Sequence, residues 1–319
     1  MNNFKKIGMT ALAASLVSTS VFAGEVTVSG GASMAVENYS TAGESNSGKG
    51  FSMGNQLTFT GGGELDNGLT VGISFVLDQG DAAPDPFDGH SISISSDALG
   101  TFTMHGEGGS SAQAALDTTA AGDIWDTFDG TTTGTTVSSS TSGADIMVYT
   151  LPSMVDGLTV SASLSPKEAE LLTANSTAWA LTYTGIEGLS ASYGQGDAAT
   201  GTASTEADAT TMKASYAIGS FTVAYSNNDY QTAVANLDQE TTSYKVSYTV
   251  SDAISVSYGT DTIDIEGDAD DAEYEKLSAS YTSGGMTVTA TQASSTDALH
   301  TATALEDRDY WSLGLSFAF

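Results

Sequence analysis

The sequence predicts an all-β chain: a transmembrane, antiparallel β-barrel of sixteen strands. Three observations carry that expectation. Apolar residues recur at every second position, connections alternate between tight turns and long polar loops, and the C-terminus is an apolar comb ending in an aromatic. Period-two alternation marks a strand with two unlike faces.

The first segment stands outside the barrel. In "MNNFKKIGMTALAASLVSTSVFAGE", Lys5 and Lys6 precede an apolar run from Ile7 to about Val17, and Val21 and Ala23 occupy the small-residue positions of a cleavage site. The run is shorter than the about 20 residues that a spanning helix needs. Residues 1–23 are therefore expected to be a secretory signal and 24–319 the barrel domain.

Strands are expected at 25–39, 52–65, 69–79, 89–97, 101–107, 144–151, 158–165, 176–185, 189–196, 209–218, 220–230, 240–250, 253–260, 273–282, 285–293 and 307–319. "LTVSASLS" sets Leu158, Val160, Ala162 and Leu164 against Thr159, Ser161, Ser163 and Ser165. "SYKVSYTV" sets Tyr244, Val246, Tyr248 and Val250 against Lys245, Ser247 and Thr249. The last strand sets Trp311, Leu313, Leu315, Phe317 and Phe319 against Ser312, Gly314, Ser316 and Ala318.

Tight turns are read at 66–68, 97–100, 186–188, 219–220, 251–253 and 283–285, and long loops at 40–51, 80–88, 108–143, 197–208, 231–239, 261–272 and 294–306. A sandwich has no reason to sort short and long connections to opposite ends, whereas an outer-membrane barrel does. In hydrocarbon every backbone donor and acceptor must be paired, and only closure removes the sheet edges. The apolar comb then faces lipid and its Ser/Gly side faces the lumen.

Composition narrows the function. The chain has 39 acidic and 8 basic side chains; removing residues 1–23 takes away two lysines and no acids, leaving a net charge of −33. Such a chain repels phosphate backbones, which excludes nucleic acid as a partner. The absence of cysteine excludes disulfides and thiolate metal sites. His90, His105 and His300 lie in separate segments, and no GxSxG, phosphate-loop or zinc motif occurs, so the chain is not expected to be an enzyme. "DTIDIEGDADDAE" (261–273) matches an EF-hand at Asp264, Glu266, Gly267 and Glu273, but Thr262 stands at the first ligand position. It is rejected as an EF-hand. Loose divalent-cation binding at the acidic loops is the only cofactor expectation.

Parity assigns the faces. Trp179, Tyr183, Tyr193, Tyr216, Tyr225, Tyr244, Tyr248, Tyr258, Tyr281 and Trp311 fall on the lipid side, as aromatic girdles do. No tyrosine occurs between Tyr39 and Tyr149, so that sector is expected to face neighbouring subunits. Lys213, Lys245, Lys276 and Arg308 alternate onto the lumen side, near the outer ends of their strands. Loop 108–143 carries Asp117, Asp123, Asp126 and Asp129 around Trp125 and Phe128, and His105, Glu107 and Asp145 fall on the lumen side near its roots.

The terminal "LGLSFAF" with Phe319, the stretch "ADIMVYTLPSMVDGLTVSASL" (144–164) and the long insert between the fifth and sixth strands together resemble the general bacterial porins, particularly the sixteen-stranded trimeric type of alphaproteobacteria. The resemblance spans the mature chain. It implies an outer-membrane homotrimer that passes small hydrophilic solutes by diffusion, with Phe319 read by the barrel assembly machinery. It also implies a third loop folded inward to narrow the pore, Trp125 and Phe128 anchoring it and its acids facing the basic wall. The chain departs from the well-known porins in having one arginine, Arg308, after residue 23. The lumen is therefore expected to be negative and to prefer cations. Two rivals remain open at this stage: a surface-layer or adhesive protein with calcium between copies, and a substrate-specific channel for cationic solutes.

Overall fold

The two ends of the chain meet in one antiparallel pair. Strand β1 (Thr27–Thr41) runs against β18 (Arg308–Ala318), with Gly31 opposite Ala318 and Tyr39 opposite Tyr310. Gly30 and Phe319 exchange backbone hydrogen bonds at 2.8 and 3.0 Å, so the C-terminal residue zips the seam. Between them the computed structural model describes residues 26–41, 48–78, 88–128, 137–166, 175–198, 207–298, 300 and 307–319. The expected signal lies outside the described residues.

In chain order the remaining barrel strands begin with β2 (Gly48–Glu64), β3 (Thr70–Asp78), β4 (Gly89–Ser96) and β5 (Gly100–Glu107). A two-residue ribbon, β6 (Gly109–Ser110) with β7 (Ser142–Gly143), closes the base of the long insert. The wall resumes with β8 (Ile146–Thr150), β9 (Leu158–Ser165), β10 (Ser176–Tyr183), β11 (Leu189–Ala198), β12 (Ala207–Ile218) and β13 (Phe221–Thr232). It continues with β14 (Gln239–Ser251), β15 (Ile254–Ile265), β16 (Ala272–Ser283) and β17 (Met286–Thr296) before β18. Each wall strand pairs with its sequence neighbours, β5 pairs with β8, and the sheet closes as a sixteen-stranded antiparallel barrel. Closure leaves no unpaired edge.

Connections segregate as the alternation requires. The chain reverses tightly after β2, β4, β10, β12 and β16, where Gly68, Gly100, Gly188, Gly219 and Gly284 take φ between 58° and 80°. That left-handed region is open to glycine at little steric cost. The other end carries the longer connections and the insert. Val246 pairs with Tyr258 and Leu313 with Val36, and all four are exposed. They form a continuous apolar outer surface. The opposite face is richer in Ser, Thr, Gly and Ala and carries the charged side chains of the interior.

Boundaries moved most at the outer rim. β15 continues to Ile265, so the expected loop 261–272 shrinks to a six-residue connection and Asp261 belongs to the wall. Paired neighbours extend the ladder: Asp261 lies between Ser243 and Tyr274, and these pairings outlast the loss of clear alternation in the sequence. The same extension puts Lys213, Lys245 and Lys276 in the middle of β12, β14 and β16 rather than near their outer ends.

Candidate functional site: the loop docked inside the barrel

One row of inward-facing residues organises the interior. Lys213, Ser226, Ser243, Asp261, Tyr274, Ser295 and Arg308 are consecutive cross-strand partners from β12 to β18. Neighbours in such a row stand about 4.5–5.5 Å apart at Cβ, so the row is a track of side chains along the inner wall. Two residues nearer the tight turns, Lys245, Gly259 and Lys276 form part of the next row.

The insert between β5 and β8 lies along this track. Lys213 Nζ donates to Asp117 Oδ2 at 2.5 Å and to the Thr119 carbonyl at 3.1 Å. The Ala120 amide donates to Ser226 Oγ and the Ala121 amide to Ser243 Oγ, both at 2.8 Å. The Ile124 amide donates to Asp261 Oδ2, also at 2.8 Å. Lys276 Nζ donates to the Gly122 carbonyl at 3.1 Å, and Arg308 Nη1 to the Phe128 carbonyl at 2.9 Å. Higher on the wall, the Ala112 amide uses Ser163 Oγ, while Gln113 joins Thr211 and Asn228 through Nε2 and Ser140 through Oε1. A loop that lacks ladder partners thus has many of its buried amides satisfied by wall hydroxyls, as burial demands.

Apolar contact completes the docking. Ala121, Ile124 and Phe128 are buried against Ile263, Ala272, Tyr274, Ala293 and Ala298, with Trp125 and Tyr310 packed beside them. The Phe128 and Tyr274 rings lie 5.9 Å apart. The wall makes room at glycine: a Cβ at Gly259 would meet Ala121 Cβ at 2.7 Å, and one at Gly194 would meet Leu116 Cδ1 at the same distance.

All four basic residues face the lumen, as parity indicates. They do not stand across a gap from the loop; three of them bind it. Asp117 is paired to Lys213, while Asp123 and Asp126 are exposed on the loop, Asp123 accepting from Thr119 Oγ1 and the Trp125 indole. Asp129 falls outside the described residues. Glu107 lies beyond a bulge at His90/Ser91, which interrupts the alternation that placed it; Asp145 is exposed, with φ 56°, just before β8. His105 pairs with Ser91 and Ile146 in register with the inward set. The sequence did not single out Asp261, because the acidic run 261–273 reads as loop. Glu37, which accepts a hydrogen bond from Tyr310 at 3.0 Å, was also missed, although its parity opposite Met34 and Val36 could have found it.

A family model described as Gram-negative porin matches residues 8–275. The chain belongs to that family. This porin is an outer-membrane channel for solute diffusion, not an enzyme, and the surface-layer reading is set aside. A search of curated protein sequences returns no match. Among solved structures, the anion-selective porin from Comamonas acidovorans superposes with a TM-score of 0.74 at 16% identity, covering 93% of this chain and 100% of its own. A porin structure refined at 1.8 Å resolution reaches 0.64 at 21% identity, with 92% and 100% covered. The trimer form of OmpT from Vibrio cholerae reaches 0.68 at 13% identity, with 93% and 100% covered. At these identities the likeness is one of fold.

Proposed function

We propose that this porin is a cation-preferring general diffusion channel whose aperture is set by loop 108–143. The carrying observation is the disposition of charge on the docked loop. Lys213, Lys276 and Arg308 are bound to loop atoms, so of the four inward cations only Lys245 has no hydrogen bond to the described loop residues. Asp123 and Asp126 remain exposed on the loop, and Glu37 faces the lumen from β1. Fixed carboxylates within about a Debye length of the path, roughly 8 Å at physiological salt, raise cation occupancy there. In a planar bilayer under a salt gradient, the reversal potential takes the sign of cation preference. Asp123→Asn with Asp126→Asn moves it toward zero; an anion-preferring wild type would overturn the reading.

The assembly is read as a homotrimer joined through the tyrosine-free sector, residues 40–148, and light scattering of the detergent-extracted protein tests it. Residues 1–23 are read as the cleaved signal, which makes Gly24 the first residue of the exported protein by intact mass. Phe319 is read as the assembly signal, so its deletion lowers the folded yield. Divalent cations are proposed to associate loosely with the acidic loops. Among the described residues no group of three or more His, Asp or Glu is placed to hold one metal ion, so equilibrium dialysis should show weak, unsaturating uptake. The alternative of a channel selective for cationic solutes predicts saturable transport, against linear flux for general diffusion.

A further inference from the structure

Asp261 is a fully buried carboxylate in the middle of the docking track, and it is the track's one acid. The wall groups that accept from the neighbouring amides of Ala120 and Ala121 are hydroxyls, from Ser226 and Ser243. Asp261 Oδ2 accepts from the Ile124 amide, and Ile124 itself has 0% exposure. Without Asp261 that amide would be left buried and unpaired. Lys276, which binds Gly122 two residues earlier in the loop, lies on the neighbouring strand two residues from Tyr274, the cross-strand partner of Asp261. Asp261 therefore holds Ile124 directly and stands beside the cation that holds Gly122. Between these contacts and Phe128 lies the apolar cluster that seats the loop tip.

We propose that Asp261 is the positioning residue of the constriction: its hydrogen bond to the Ile124 amide keeps residues 121–128 on the wall and so defines the aperture. The proposal rests on the reading of loop 108–143 as the constriction. Loss of the bond frees the loop tip to move into the lumen. The channel then fluctuates between sub-conductance levels, and its cation preference falls as Asp123 and Asp126 leave their places.

Ala121, on the docked loop, is buried against the wall at 2% exposure, and the chain has no native cysteine to interfere with labelling. In refolded protein that keeps its heat-modifiable migration, Ala121→Cys should react slowly with a water-soluble maleimide. Adding Asp261→Ala should raise the rate roughly 5- to 30-fold, the factor that corresponds to one to two kcal/mol. Asp261→Asn, which keeps an acceptor oxygen, should restore most of the protection. In bilayers, Asp261→Ala with Ala121→Cys and Ser243→Cys should flicker when reduced and run quietly once oxidised to the disulfide. Equal labelling rates with and without Asp261→Ala would overturn the proposal. Faster labelling with unaltered conductance and reversal potential would leave Asp261 as the latch and instead break the reading of this loop as the constriction.

Discussion

Two sectors of the same wall differ sharply. From β3 to β10 no strand exceeds nine residues, and β8 has five; from β12 to β18 every strand has eleven to thirteen. The short sector's outward face through β5 is made of residues such as Ile73, Ile92, Ile94 and Met104, without tyrosine. The tall sector carries Tyr216, Tyr244, Tyr248, Tyr258, Tyr281 and Trp311 on that face. Above these aromatics, toward the outer rim, stand outward carboxylates: Asp208, Asp229, Glu240, Asp264, Glu273 and Asp309. Both sectors obey the same alternation, so alternation alone does not reveal what lies outside. The gradation from aliphatic to aromatic to acidic does, because aromatics suit headgroup depth and charge suits water.

That contrast can be broken experimentally. The largest effect is expected from arginine on the outward face. Val246→Arg in the tall sector should cost about 2–4 kcal/mol if that face meets the bilayer midplane, measured by denaturant titration in vesicles. If the proposed homotrimer packs through the short sector, Ile92→Arg should instead dissociate it in light scattering; retention of the assembly with a purely lipid-dependent cost would make the two sectors alike. A smaller effect concerns the interior. Gly259→Val forces Ala121 from its seat and should cost about 1–3 kcal/mol by overpacking, with a change in single-channel conductance that the same substitution at Gly219, a turn glycine with nothing within 4 Å, should not produce. The smallest is Tyr248→Leu. Its ring lies 4.7 Å from Phe221, and losing that contact should cost roughly 0.5–1.5 kcal/mol.

The interior and the exterior were legible to different degrees. Tyr183, Tyr225 and the other eight aromatics assigned to lipid all fall outward by pairing, and Lys213, Lys245, Lys276 and Arg308 all fall inward. Parity survives because each residue's face follows from its immediate neighbours. Glu107 shows the limit: one bulged residue ends the inference. Asp261 shows another, because an acid-rich segment with Gly267 after it looks like a loop, while the ladder with β14 and β16 makes it strand.

From local pattern alone came the strand number, the separation of turns from loops, the outward aromatics and the inward cations. These depend on contacts between residues close in sequence or on solvent preference, which single residues carry. Only the closed barrel decided that the basic wall binds the loop rather than facing it. Lys213 meets Asp117 across 96 residues, Asp261 meets Ile124 across 137, and Arg308 meets Phe128 across 180. No periodicity encodes such pairs; they form because closure places one row of side chains beside a loop whose buried amides need acceptors.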